Sequence, residues 1–430
     1  MFFYQKNNQI NYVQQYQKKK QQTQFLFKKK IQIYQNLNIK NKMQDQPSEK
    51  QSIQVTIRVR PLNKNEKQES QQTCIKFNQQ QPNSIQLETS SQSNLKTFQF
   101  DYIAHQYTTQ QEIFQKIALP AVDNCFEGYN ACIFAYGQTG AGKTFTITGS
   151  SDLEQVLETE NRGLLPRVLE NIFVRINNQK SQKNVEYLVK CSYLEIYNEH
   201  IIDLLSNNQT SLQLREDLKK GVFVENLTEQ ITRTLSNAIE VLKKGGKNRH
   251  IGFTSMNRES SRSHTVFSII LESKSVQEGI TQLRFSHFNL VDLAGSERTK
   301  QGNIKGERLR EGCNINRSLS ILGNVINSLV EIDGGKSRHI HYRDSKLTFF
   351  LKDCIGGNSK TRFIANISPF SGAFQETVST LKFAQRVKLI KNKVQINEDN
   401  SGNAECLNNQ IKKLKLENLQ FKQMILQKEI

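Results

Sequence analysis

The sequence predicts an α/β domain built on a mainly parallel central sheet. Three observations lead there. The apolar run Ala131-Cys132-Ile133-Phe134-Ala135-Tyr136 enters Gly137-Gln138-Thr139-Gly140-Ala141-Gly142-Lys143-Thr144, the strand, glycine-rich loop and helix arrangement of a P-loop. A second apolar run of strand length, Phe285 to Leu293, carries Asp292 at its end and passes into Ala294-Gly295. Segments of strand period then alternate with segments of helical period along most of the chain, the pattern of strands joined by crossover helices.

Taken in order, residues 1–48 are a Gln, Asn, Lys and Tyr mixture without sustained period, too poor in apolar groups to offset its ordering entropy, so disorder is expected. Met43 offers a second possible start, which would leave the first 42 residues out of the functional protein. Ile53 to Val59 alternates apolar and polar until Pro61 halts it, a half-buried strand. Residues 63–94 are polar and turn-rich, with strand-like pieces at Cys74 to Phe77 and Ser84 to Leu87; Phe98 to Tyr102 is a further strand. Gln110 to Phe126 has helical spacing through Ile113, Phe114, Ile117 and Ala121.

After the P-loop, residues 150–161 read as an acidic loop, Pro166 to Ile176 as a helix and Val185 to Ile196 as a strand. Leu235 to Lys244 is expected to be a helix stopped by Gly245-Gly246. Val266 to Leu271 is a strand, Asn314 to Ile332 and Lys346 to Cys354 are helices, and Thr361 to Ile367 is the last strand. Phe374 to Ile390 is a long helix with Val378, Leu381, Ala384 and Val387 on one face. Leu407, Ile411, Leu414, Phe421 and Ile425 then keep a 4,3 heptad frame with Asn418 in an a position, the start of a coiled coil or a single amphipathic helix lying on the domain.

Composition narrows the function classes. Seven scattered cysteines without metal or redox spacing suit reduced thiols in the cytosol. No run approaches the roughly 18 apolar residues of a membrane span, so a soluble protein is expected. The net charge is +19; residues 1–48 hold nine Lys and one Asp, a balance of +8, leaving +11 for the rest. A body that basic suits an acidic partner, whether nucleic acid, anionic membrane or protein surface. Nucleic acid is disfavoured, because the basic arm has no Arg and no regular aromatic interleaving.

The chemistry starts from the P-loop, whose amides and helix N-terminus would surround phosphates, with Lys143 reaching the β- and γ-phosphates and Thr144 on Mg²⁺. Asn257-Arg258-Glu259-Ser260-Ser261-Arg262-Ser263-His264 places small hydroxyls beside two arginines, able to donate to phosphate and to a Mg²⁺ ligand field. Asp292 supplies a carboxylate for Mg²⁺-bound water, Gly295 an amide for the γ-phosphate, and Glu297 a second carboxylate able to relay a proton from the attacking water. The base-reading tetrapeptide N-K-x-D of GTPases does not occur, so ATP is preferred.

Six motifs then carry a family: IRVRP (57–61), FAYGQTGAGKT (134–144), NRESSRSH (257–264), NLVDLAGSER (289–298), INRSLSILGNVI (315–326) and HYRDSKLT (341–348). In this order the chain resembles the kinesin motor domain from about residue 51 to 397. TSMNRESSRSH (254–264), YRDSKLTFFL (342–351) and FAQRVKLIKNKVQINED (383–399) are most similar to N-terminal motors of the kinesin-12 class. The resemblance implies a P-loop NTPase of kinesin motor fold over 49–387, a neck linker and extension over 388–403, and a coiled-coil start over 404–430.

It further implies a microtubule-stimulated ATPase moving toward the plus end as a homodimer on the cytoskeleton, with ATP and Mg²⁺ as cofactors, tubulin as partner, and neither nucleic acid nor membrane. A crosslinker with slow turnover is the alternative. By resemblance, Arg58 and Pro61 border the adenine, with Phe145 where many kinesins have a base-side histidine. Gly137, Gln138, Thr139, Gly140, Ala141, Gly142, Lys143 and Thr144 hold the phosphates. Ser260 and Ser261 belong to switch I, with Ser261 near Mg²⁺; Asp292, Gly295 and Glu297 belong to switch II, and Arg262 pairs with Glu297 as a latch over ATP. Lys300, Lys305, Arg308, Arg310, Lys336, Arg338, Arg343 and Lys346 would face acidic tubulin. There, Phe349 removes an arginine contact, and His341 replaces a proline with an expected gain in loop freedom. In the neck linker Ile390 fills an apolar pocket, Asn397 latches the end, and residues 47–54 pair with it as a cover strand.

Overall fold

The structure, a computed structural model, describes residues 49–401 except 70–72, 79, 90–91, 150–158, 181–184, 208–209, 218–220, 257–259, 278–279 and 298–306. The basic arm, Met43 and the heptads from Leu407 therefore lie outside the described residues. In chain order the strands are β1 (Glu49–Ser52), β2 (Gln54–Val59), β3 (Ile75–Phe77), β4 (Ser84–Thr89), β5 (Gln92–Gln99), β6 (Tyr102–Ala104), β7 (Ala131–Tyr136), β8 (Val185–Tyr197) and β9 (His200–Asp203). There follow β10 (Leu214–Asp217), β11 (Gly221–Val224), β12 (Gln230–Thr232), β13 (His264–Gln277), β14 (Ile280–Asp292), β15 (Lys360–Ile367), β16 (Lys391–Val394) and β17 (Glu398–Ser401). The α-helices are α1 (Lys64–Glu69), α2 (Gln110–Ile113), α3 (Leu119–Phe126), α4 (Lys143–Ile147), α5 (Leu164–Lys180), α6 (Leu235–Met256), α7 (Glu307–Asp333), α8 (Lys346–Phe350) and α9 (Phe374–Lys388).

The central sheet has the order β12-β8-β13-β14-β7-β15-β2-β6, with β9 beside β8 and β17 beside β14. Pairings from β14 through β7, β15 and β2 to β6 are parallel, as expected. The other half is antiparallel, so the sheet as a whole is mixed. Only two residues separate Gln277 from Ile280, too few for a crossover, and the strands on either side pair antiparallel over their full length. The apolar runs Val266 to Leu271 and Phe285 to Leu293 are facing parts of these strands, largely buried, with Phe285 exposed.

β7 is buried along its whole length, because apolar clusters cover both faces. Cys132, Phe134 and Tyr136 join Ile57, Leu322 and Leu381 on one side. Ala131, Ile133 and Ala135 join Ile113, Leu169 and Phe288 on the other. The expected helix 110–126 begins with a capping box, Thr109 and Glu112, and passes through a π-turn, Phe114–Ala118, between α2 and α3.

Gly245-Gly246 does not end a helix. α6 runs through both to Met256, and a Cβ on Gly245 would lie 2.2 Å from the Tyr193 ring. This glycine lets the helix lie close against β8, and its packing role outweighs its weak helix propensity.

Candidate nucleotide site and exit segment

Parallel β7 and β14 end side by side, Asp292 opposite Ala135, and this brings the P-loop and the Asp292–Glu297 turn together. Gly137 has φ 143°, and a Cβ there would lie 2.1 Å from the Asn366 carbonyl oxygen, so the chain passes β15 only without a side chain. Gly142 precedes α4 at φ 97°. Lys143 is buried, with Nζ donating to the Gln138 carbonyl at 3.0 Å. Burial pulls its pKa below the ordinary lysine value, against the opposing charges of Asp292 and Glu297.

Thr144 Oγ1 donates to Asp292 Oδ2 at 2.6 Å, while Asp292 Oδ1 is buried without a hydrogen-bond partner. A hydroxyl, a buried carboxylate with one unsatisfied oxygen and a buried ammonium form a donor set that fits a magnesium nucleotide. Ser260–Arg262 form one 3-10 turn. Gly295 N–H donates to the Ser261 carbonyl at 2.8 Å and Ser296 N–H to the Gly137 carbonyl at 3.1 Å. Thus the Ser260–Arg262 turn, the 292–297 turn and the P-loop meet at one place.

The Thr139 N–H donates to Glu297 Oε2 at 2.8 Å, and the Thr139 hydroxyl bonds the other carboxylate oxygen. The structure therefore joins Glu297 to the P-loop. Arg58 lies between α2 and the Phe145 ring. Its guanidinium is buried, donates to Gln110 Oε1 and Thr146 Oγ1 at 2.9 Å each, and burial pulls its pKa down to about 10. The Arg58 guanidinium lies over the Phe145 ring at 5.4 Å, and Phe145 is 38% exposed, so part of its apolar surface is open to a stacking base. Pro61 is exposed beside the loop, its carbonyl accepting from Arg60 Nη1 at 2.8 Å. Ala141 is buried under the P-loop.

Five residues, Arg60, Asn63, Glu66, His264 and Arg249, take places that the motifs did not assign. Arg60 Nε donates to the Gly140 carbonyl at 2.8 Å while its other nitrogens clasp Glu66. Asn63 and Glu66 bond each other's amides in an N-x-x-E cap, a local signal that aims Glu66 at Arg60. His264 Nδ1 accepts from Ala294 N–H at 2.9 Å, so Nε2 carries the proton toward Ser318 Oγ at 2.8 Å. Arg249 is buried, 3.8 Å from Glu195 and 3.9 Å from Asp292.

The exit segment matches its expectation closely. β16 pairs antiparallel with β1, Gln51 opposite Asn392. Ile390 is 1% exposed and lines a cavity with Phe134, Leu293, Leu322 and Ile326. Asn397 Nδ2 lies 3.1 Å from the Gly128 and Phe285 carbonyls and 3.0 Å from Asn130 Oδ1. Its Oδ1 accepts from Asn358 at 2.9 Å, and β17 continues onto β14 at Thr281 to Arg284.

On the basic face, Lys300 and Lys305 and the side chains of Arg308 and Arg310 lie outside the described residues. Lys336, Arg338 and Arg343 are exposed and Lys346 half-buried; Arg338 pairs with Glu331 at 2.5 Å and Arg343 with Glu216 at 2.7 Å. Phe349 stacks under Arg343 at 5.0 Å, and His341 meets His339 edge to face at 4.9 Å.

The family description "Kinesin motor domain" matches residues 58–390. Kinesin-like protein KIN-12G of Oryza sativa subsp. japonica is 49% identical over 381 residues, 87% of this chain and 30% of its own length. Kinesin-like protein KIF15 of Rattus norvegicus is 47% identical over 389 residues, 89% of this chain and 28% of its own. The chain thus spans less than a third of these relatives, which are of the kinesin-12 class. A solved fast kinesin superposes with a TM-score of 0.73 at 41% identity, covering 81% of this chain and 94% of that one. A solved microtubule complex of a KIF14 dimer with AMP-PNP also gives 0.73, at 38% identity, covering 82% and 97%. The P-loop, its two partner turns, the docked exit strand and these likenesses together establish that the chain belongs to the kinesin motor family.

Proposed function

We propose that this chain hydrolyses ATP with Mg²⁺ under stimulation by microtubules and moves along them toward the plus end. The observation that carries the reading is the placement of β14. Its last residue, Asp292, bonds Thr144 of the P-loop, and its opposite end, Thr281 to Arg284, pairs with the exit strand β17. One strand of 13 residues, roughly 40 Å, thus touches both the nucleotide site and the segment leading out of the domain.

Lys143 and the P-loop amides bind and orient the phosphates, and Thr144 with Asp292 holds the metal side of the site. Bound Mg²⁺ would draw charge from the leaving phosphates. Gly295 N–H, now on the Ser261 carbonyl, is the amide nearest to hand for a γ-phosphate oxygen. Glu297 takes the attacking water's proton once its carboxylate turns from Thr139, and Arg262 closes over it as the latch. Ser260 and Ser261 accompany that closure, and the Phe145 face takes the base.

Docking of 388–401 along the sheet follows switch closure, and a homodimer through the segment beyond 403 provides the second head. The basic face at Lys336 to Lys346 meets acidic tubulin. The test is steady-state ATP turnover with and without microtubules, beside Glu297→Ala. Stimulation that the variant loses by at least about 100-fold supports the reading, and gliding on polarity-marked microtubules then reads direction. Tight microtubule binding without stimulation leaves a crosslinker instead.

A further inference from the structure

The ribbon β1–β16 carries an unfavourable charge pattern on its outer face. Lys391 and Lys393 alternate with buried Asn392 and Val394, so both point outward. Lys50 lies directly across from Lys393 in the register. Three ammonium groups on one face of a two-stranded ribbon oppose its closure, because like charges facing each other across strands repel.

Asp333 meets this face from outside the ribbon. It is the last residue of α7, with Oδ2 2.7 Å from Lys391 Nζ and Oδ1 3.5 Å from Lys50 Nζ. A carboxylate there has the wrong sign for the helix dipole, which favours cations at a C-terminus. Helix stability therefore gives no reason for the residue, whereas the lysines do. Lys391 first, then Lys50, hold its carboxyl below the usual aspartate range.

We propose that Asp333 is an electrostatic clamp that closes the β1–β16 ribbon, one lysine from each strand, and so ties docking of the exit segment to the position of the end of α7. This rests on the reading of 388–401 as a segment that docks and releases. The two ion pairs are exposed, so each is weak and screened by salt. That weakness suits a contact that must open in every cycle.

The test is hydrogen exchange by mass spectrometry on the full chain with a non-hydrolysable ATP analogue. Protection of 137–144 by the analogue reports the nucleotide reading separately. At low salt, Asp333→Asn and Lys391→Gln should each speed exchange over 391–394 by about two- to five-fold. The double variant should not exceed Asp333→Asn, which alone removes both pairs, the Lys391 pair included. High salt should bring the wild type to the variants' rate. Neutralising Asp333 removes an unfavourable dipole contact, so amides in the last turn of α7 should slow or hold. Unchanged ribbon exchange in Asp333→Asn, additive single effects, or faster exchange in the last turn of α7 would overturn the clamp.

Discussion

The two ends of β14 are built from different materials. At the nucleotide end charged groups are enclosed: Lys143, Asp292 and Arg249 are buried among backbone carbonyls and His264. At the exit end one asparagine serves both neighbouring chains, and exposed lysines meet Asp333 and Asp101 at the surface. A buried, hydrogen-bonded site is preorganised and sensitive to any proton it must take up. An exposed ionic contact is sensitive to salt instead. One strand thus joins a buried, hydrogen-bonded site to an exposed ionic one.

The largest expected difference between the ends is their response to acid. Burial, with Lys143 and Arg249 nearby, holds the folded His264 pKa down to about 3, from an ordinary 6.5. Between those values the unfolded chain binds the proton and the folded one does not. Stability from this group is therefore complete above about pH 6.5 and is lost as pH falls toward 3, on the order of 5 kcal/mol in all. Denaturant unfolding between pH 7 and pH 4 checks this; His264→Asn, which cannot charge, should show a shallower loss than the wild type.

Gly137→Ala breaks the nucleotide end at the backbone. The Asn366 carbonyl cannot yield as a flexible side chain could, and φ 143° disfavours any Cβ. A cost of about 3 kcal/mol corresponds to roughly 100-fold in nucleotide affinity, read by calorimetry with an ATP analogue. Asn397→Ala breaks the exit end alone. It leaves Asn358 Nδ2 without its acceptor and removes the bonds to Asn130 and to the Gly128 and Phe285 carbonyls, and should shift docking by about 2 kcal/mol, roughly 30-fold. Gliding velocity should fall while nucleotide affinity holds, and equal loss of both would erase the distinction between the ends.

The nucleotide end was the more legible in sequence because its chemistry is local. Eight consecutive residues from Gly137 to Thr144 specify a phosphate loop, and Asp292 to Glu297 lie within one turn. The exit end was legible only through family likeness, since nothing in the periodicity of Lys391 to Asn397 distinguishes a docked strand from a loop. What neither route exposed depends on tertiary placement. Gly245 reads as a helix stop until Tyr193 is set against it, and the Gln110 and Thr146 partners of the Arg58 guanidinium share no motif with it. The antiparallel half of the sheet was hidden because only the facing, largely buried parts of β13 and β14 look like strands. Asp333 and its lysines lie far apart in sequence and share no motif.

The smallest predicted effect is favourable and lies on the β15 strand between the two ends. Arg362 is 8% exposed, its Nε has no hydrogen-bond partner, and burial pulls its pKa down to about 10. Its backbone neighbours are Gln54 and Ile133, and the acidic charge of Asp123 nearby is already paired with Arg175 at 2.5 Å. A buried guanidinium with an unmade hydrogen bond opposes folding, and a β-branched residue of smaller volume retains the strand preference without that cost. Arg362→Thr should therefore stabilise the domain by about 1 kcal/mol, partly offset by the volume it vacates. Thermal unfolding measures the sign directly. A destabilised variant would mean that the aliphatic stem of Arg362 fills its site well enough to outweigh the unmade bond.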